Sequence, residues 1–187
     1  ACGAARADSL DNYFSHWFDR VRAAQDSTPH WITTVATVTP RLEQEFRLDA
    51  GFQHQGNGAE LDNYGMGKGL ELIPTESTEV ILNLPPYEQR TGRKPAKGFG
   101  DDPVFLLKRR FVSANEQNGN YIVTGFLGVQ APTGVTAFTN HAYVVTPTVA
   151  AGKGWGDFDV QATLGLSYPL SHLHEIGSSE VANVAFQ

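Results

Sequence analysis

The most regular stretch of the chain is residues 157–170, DFDVQATLGLSYPL. Phe158, Val160, Ala162, Leu164, Leu166, Tyr168 and Leu170 fall on one parity, and Asp159, Gln161, Thr163, Gly165 and Ser167 on the other. Alternation with period 2 predicts a strand with one apolar and one polar face. The strand is long: soluble strands usually run about 5–6 residues, whereas one that crosses a bilayer at a tilt needs about 9–11. Its apolar face ends in aromatics, Phe158 and Tyr168, as membrane interfaces favour.

The period changes upstream. In residues 9–25, Leu10, Tyr13, Phe14, Trp17, Phe18 and Val21 recur at helical spacing, which predicts an amphipathic helix capped by Asp8 or Ser9. It is expected to dock on its own domain; plugging a lumen is the sharper alternative. A second long strand is predicted over residues 41–53. Leu42, Phe46, Leu48, Ala50 and Phe52 share one face, and Arg41, Glu43, Glu45, Arg47, Asp49 and Gln53 share the other. Five charges on one strand face are costly in a dry core and comfortable in water or a wet lumen.

Further strands are predicted at 69–75, 78–84, 103–114, 121–130, 141–151 and 180–187, making eight. Pro147 sits awkwardly in one of them. Residues 54–68, 88–102, 131–140 and 171–179 read as long polar loops, and the remaining connections as short turns. Alternation of long and short connections is the habit of outer-membrane barrels, with long loops outside and short periplasmic turns. The expected fold is therefore all-β, an antiparallel up-and-down transmembrane β-barrel with an N-terminal amphipathic helix.

Composition narrows this picture. Net charge is −6 and the pI about 5.4, which argues against a nucleic-acid partner. The mean hydropathy of −0.28 is too polar for a helical membrane protein, but an alternating barrel averages the same way. Ala5-Arg6-Ala7 before Asp8 has the small-x-small form of a secretory cleavage site. Residues 1–7 are read as a signal-peptide remnant, 8–29 as helix and linker, and 30–187 as the barrel domain. The chain lacks an initial Met and stops at Phe186-Gln187 within a strand, so an incomplete barrel is expected.

Several motifs bear a resemblance. G-K-G-L-E-L at 67–72, the turn at 74–77, G-F-G-D at 98–101, L-G-V-Q-A-P-T-G at 127–134 and G-K-G-W-G-D-F-D at 152–159 resemble an outer-membrane family. That family is named for the MetA pathway of phenol degradation and is often called simply transporter. The resemblance spans roughly residues 40–187. It implies an outer-membrane β-barrel channel for small hydrophobic or aromatic compounds, and it brings no catalytic residues.

Candidate chemistry is correspondingly sparse. No hydrolase, nucleotide or cofactor signature is found, and G-M-G-K-G lacks P-loop spacing. His172 and His174 read as solvated loop residues rather than metal ligands, and Cys2 stands alone. No enzyme activity, cofactor or metal is expected. Two groups carry functional expectations. Arg41, Glu43, Glu45, Arg47 and Asp49 would line the pore and set what passes. Arg90, Arg93, Lys94 and Lys97, in an outer loop, would contact the phosphates of lipopolysaccharide. The alternative is a soluble, lipocalin-like barrel binding an apolar ligand. There Phe158, Val160, Leu164 and Leu166 would point inward instead of toward lipid.

Overall fold

The computed structural model describes residues 4–32, 39–56, 58–92, 94–100, 102–171 and 179–186. Two helices, α1 (Ala4–Ser15) and α2 (Trp17–Asp26), precede ten strands. These are β1 (Phe46–His54), β2 (Glu60–Thr75), β3 (Thr78–Leu82), β4 (Tyr87–Arg90), β5 (Ala96–Phe99), β6 (Asp102–Ala114), β7 (Tyr121–Ala131), β8 (Val144–Trp155), β9 (Phe158–Pro169) and β10 (Ser179–Phe186). Among the described residues no helix is long and apolar enough to cross a membrane, which bears on helices only.

The helix expected over residues 9–25 is broken in two at His16. There the Asn12 carbonyl accepts from Ser15 Oγ at 3.0 Å and lies 2.9 Å from His16 Nδ1. Side chains thus compete for a carbonyl that the helical ladder would otherwise use. The apolar stripe is only partly used. Val21 and Ala24 are buried, while Leu10, Phe14 and Phe18 stay exposed. The helix that runs through residues 9–15 already begins at Ala4, within the stretch read as a signal remnant.

The strands form one antiparallel sheet, and its order follows the chain almost throughout. β3 and β4 pair with successive parts of one edge of β2, at residues 70–75 and 61–64. They are one strand line interrupted at Pro85-Pro86, where the ladder lacks donors. Two expected loops are corrected. Residues 54–68 are mostly strand, because β2 starts at Glu60 after a tight turn. Residues 88–102 carry the β4–β5 hairpin. In both places glycines and charges hide the alternation. The strand expected from Arg41 begins only at Phe46. The sheet is not closed: among the described residues β1 pairs only with β2, and β10 only with β9.

β8 runs unbroken through Pro147, because its β7 partner lies opposite at Leu127 while the β8–β9 ladder skips Thr146 and Pro147. The missing N–H falls on the gap, and Thr146 Oγ1 donates to Ser167 Oγ at 3.3 Å instead.

The two faces of the sheet are unlike. Along β9 the polar parity is buried (Asp159, Gln161, Thr163) and the apolar parity exposed (Phe158, Leu164, Leu166, Tyr168), with Leu164 66% exposed. The same sense holds elsewhere. Glu71, Glu79, Lys108 and Thr124 are buried, whereas Leu70, Leu82, Phe111 and Leu127 are exposed. What buries the polar face is the chain's own N-terminal segment. Val21, Ala24 and Leu42 pack with Ile73 into a small core, with Trp17 at its edge.

Candidate functional site: a strapped polar face

The described stretches 27–32 and 39–45 are held against the polar face from both ends. At the turn end, Arg110 Nη1 donates to Ala24 O at 2.6 Å, Ser113 Oγ to Ser27 O at 2.8 Å and Asn115 Nδ2 to Asp26 O at 3.0 Å. Tyr13 OH reaches Pro74 O at 2.8 Å. The helices therefore sit at the end of the sheet that carries the short turns. Trp31 lies over two residues of β8 that have no side chain. A Cβ on Gly152 would stand 2.4 Å from Trp31 Cζ3, and one on Gly154 would stand 2.8 Å from Trp31 Nε1. Gly152→Val is accordingly expected to expel the indole and to weaken strap docking by about 1–3 kcal/mol. A red shift in tryptophan emission, with new protease cleavage between residues 27 and 45, would report it. Unchanged emission would show that the ring has room to move.

His30 clips the strap to the β6–β7 turn. Its backbone N–H donates to Glu116 Oε1, and its Nδ1 lies 3.1 Å from Glu116 Oε2. Burial pushes the Glu116 carboxyl upward, but the hydrogen bonds from His30 outweigh it and hold the group below the ordinary carboxylate range. A lowered carboxylate stabilises docking above its ordinary value, about 4.3, and that contribution is lost as the pH falls through the lowered one. Trp31 emission should therefore shift on acidification below roughly pH 4. Glu116→Gln, which keeps an acceptor and loses the titration, should flatten that shift; an identical acid transition in the variant would place its origin elsewhere.

The charged centre lies where residues 41–45 leave the sheet edge and turn across the polar face. Gln44 and Glu45 still follow β2, since Ile73 N donates to Gln44 Oε1 at 3.0 Å and Glu71 N to Glu45 O at 2.8 Å. Leu42 then turns inward and is buried, although its parity in the sequence matches the exposed Phe46. Glu43 N donates to Glu79 Oε2 at 2.6 Å, and the carbonyls of Pro40 and Arg41 accept from Thr124 Oγ1 at 2.6 Å and Lys108 Nζ at 3.3 Å. Lys108 Nζ lies 2.9 Å from Glu79 Oε1 and 3.9 Å from Glu71 Oε2, with all three side chains fully buried. Arg41 pairs with Glu43 at 3.2 Å. Carboxylate oxygens of Glu43, Glu45 and Glu71 lie within 4.8 Å of one another. Four carboxylates thus meet two cations where residues 41–45 of the strap cross the sheet.

Of the residues expected to line a pore, Arg41, Glu43 and Glu45 join this centre, while Arg47 and Asp49 form a separate, half-exposed pair on β1 at 2.8 Å. Glu71, Glu79 and Lys108 were not singled out as site residues. They lie on three separate strands, and no spacing in the sequence links them. The basic group also separates. Arg90 donates from Nε to Lys94 O at 2.9 Å, and its guanidinium stands 5.4 Å from the Phe138 ring centroid. Lys94 is exposed in the hairpin turn, and Lys97 is exposed on β5, opposite Gln89. Arg93, His172 and His174 lie outside the described residues.

Fold and site together define an all-β chain: one antiparallel sheet whose polar face is strapped by its own N-terminal segment. No protein family, no curated protein and no solved structure matches it.

Proposed function

We propose that the chain is a component of a bacterial outer-membrane β-barrel channel or transporter, with the sheet's apolar face toward lipid and its polar face toward the lumen. The observation that carries this reading is the inverted burial along β9, apolar side chains out and polar side chains in, with apolar side chains exposed on its neighbours too. That is how a transmembrane barrel disposes its strands. Aromatic side chains support it. Tyr121, Trp155 and Phe158 are exposed toward the short-turn end, and Phe52, Tyr64, Phe99, Tyr143 and Tyr168 toward the other. From Phe158 to Tyr168 is about 33 Å along the strand, or about 25 Å across the membrane at a tilt of about 40°, the height of a barrel's apolar band. Closing the sheet into a barrel would pair the outer edges of β1 and β10, whose backbone groups lipid cannot satisfy.

In this reading the strap occupies the lumen, and Glu43 and Glu45, the accessible carboxylates of the centre, meet whatever passes. The resemblance described above favours small hydrophobic or aromatic solutes. Lys94 and Lys97 are the cations set toward lipopolysaccharide. The lipocalin-like alternative requires Phe158 and Leu164 inside, and their exposure weighs against it. The test begins with refolding into detergent micelles. A gel mobility that shifts on boiling, with β-type circular dichroism only in detergent, is expected; a folded, monodisperse chain without detergent would sink the reading. In planar bilayers, Glu45→Gln with Asp49→Asn should then lower cation selectivity, and unchanged selectivity would remove these carboxylates from the conducting path.

A further inference from the structure

Among the described residues the exposed face of the sheet is mostly apolar; Gln89 and Lys97 lie toward its loop end and Lys153 toward its short-turn end. On β6 the outward parity reads Leu107, Arg109, Phe111, and Arg109 is exposed among apolar neighbours. Its register partners are Thr78, the first residue of β3, and Gly125. Arg109 Nη1 donates to Thr78 Oγ1 at 2.8 Å, and among the described residues no carboxylate pairs with it. A guanidinium has five N–H donors, so this bond leaves most of its capacity unused. Beside it runs a groove of about 580 Å³ lined by Leu107, Phe111, Leu127, Pro147, Val149 and Leu164. Glycine makes room for it. Phe111 lies across Gly125, where a Cβ would stand 2.7 Å from the Phe111 ring.

A cation on a lipid-facing surface is costly unless an anion meets it. We propose that this groove is a binding site for a membrane phospholipid, its phosphate on the Arg109 guanidinium and an acyl chain along the apolar floor. The proposal rests on the membrane reading above. Charge complementarity selects the occupant: a phosphodiester supplies the acceptor oxygens that Arg109 lacks, and the bidentate geometry of guanidinium and phosphate suits the pairing. The attached chain fills a groove with no other polar side chain than Thr148 at its edge.

The experiment compares lipid retention. The whole chain is refolded in micelles containing either dioleoyl phosphatidylglycerol or dioleoylglycerol, exchanged into lipid-free detergent, and assayed for bound lipid per chain. Phosphatidylglycerol should be retained at about one per chain, and Arg109→Gln should weaken retention about tenfold or more, as loss of a charge-assisted hydrogen bond implies. Val149→Trp, which fills the groove and leaves the cation, should displace the lipid as well. The boiling-dependent mobility shift should persist in both variants. Equal retention in Arg109→Gln, or of dioleoylglycerol, would reduce the groove to greasy surface and overturn the site. Displacement by millimolar inorganic phosphate would make it a free-anion site, and cross-linking of chains through this face would make it a chain–chain contact; either overturns the proposal. A chain folded without detergent overturns the membrane reading and the site together. Folding in detergent with retention indifferent to Arg109 overturns the site alone.

Discussion

Lys108→Ala is expected to cost the folded chain about 3–5 kcal/mol, the usual consequence of removing one partner from a buried ion pair. Lys108 Nζ lies 2.9 Å from Glu79 and 3.9 Å from Glu71, and none of the three side chains reaches solvent. Its removal leaves two buried carboxylates without that charge and deprives the Arg41 carbonyl of a donor. Urea titration followed by circular dichroism measures the loss. Adding Glu71→Gln and Glu79→Gln to Lys108→Ala should recover part of it, because neutral amides cost less to bury and glutamine can still accept from Glu43 N. A loss below about 1 kcal/mol would mean that water enters the centre freely, and the strap would then not seal the polar face.

Leu164→Arg separates the two environments that the exposed face could meet. Leu164 lies six residues from Phe158 and four from Tyr168, so in the membrane reading it sits near the middle of the apolar band. An arginine at that depth costs about 2–4 kcal/mol. Facing water, the same substitution would fall within about 0.5 kcal/mol, as surface changes usually do. Folding yield into lipid vesicles against denaturant concentration gives the difference. A near-neutral result would turn this face toward water and remove the strongest support for the proposed function.

How legible these features were depends on where their determinants lie. β9 could be read almost to the residue, because its alternation is local and free of glycine except at Gly165. β2 could not, since Gly65, Met66, Gly67, Lys68 and Gly69 carry no alternation, although Met66 and Gly69 pair with β1 across a shifted register. The break at His16 turns on side-chain competition for one carbonyl, which no periodicity records. Residues 41–45 are the clearest case. Leu42 continues the parity of Phe46 and Leu48, so the sequence reads as one strand; what turns it inward is a hydrogen bond from Glu43 N to Glu79, 36 residues away. For the same reason Arg41, Glu43 and Glu45 were recognisable as a charged group, while Glu71, Glu79 and Lys108 were not. They lie on three different strands, and only the sheet brings them together.

The strap's anchors also bear on the order in which the molecule assembles. Ser113 and Ser27, like Arg110 and Ala24, are 86 residues apart, whereas most strands pair with a near neighbour in the chain. Closing a long loop costs entropy before its contacts repay it, so the hairpins zip first and the N-terminal segment docks last. What docks last is also the unit that opens at least cost, independently of the ladder beneath it. The polar face is then expected to be uncovered and covered again while the sheet stays folded, and hydrogen exchange at Glu43 N faster than in the β7–β8 ladder would report it.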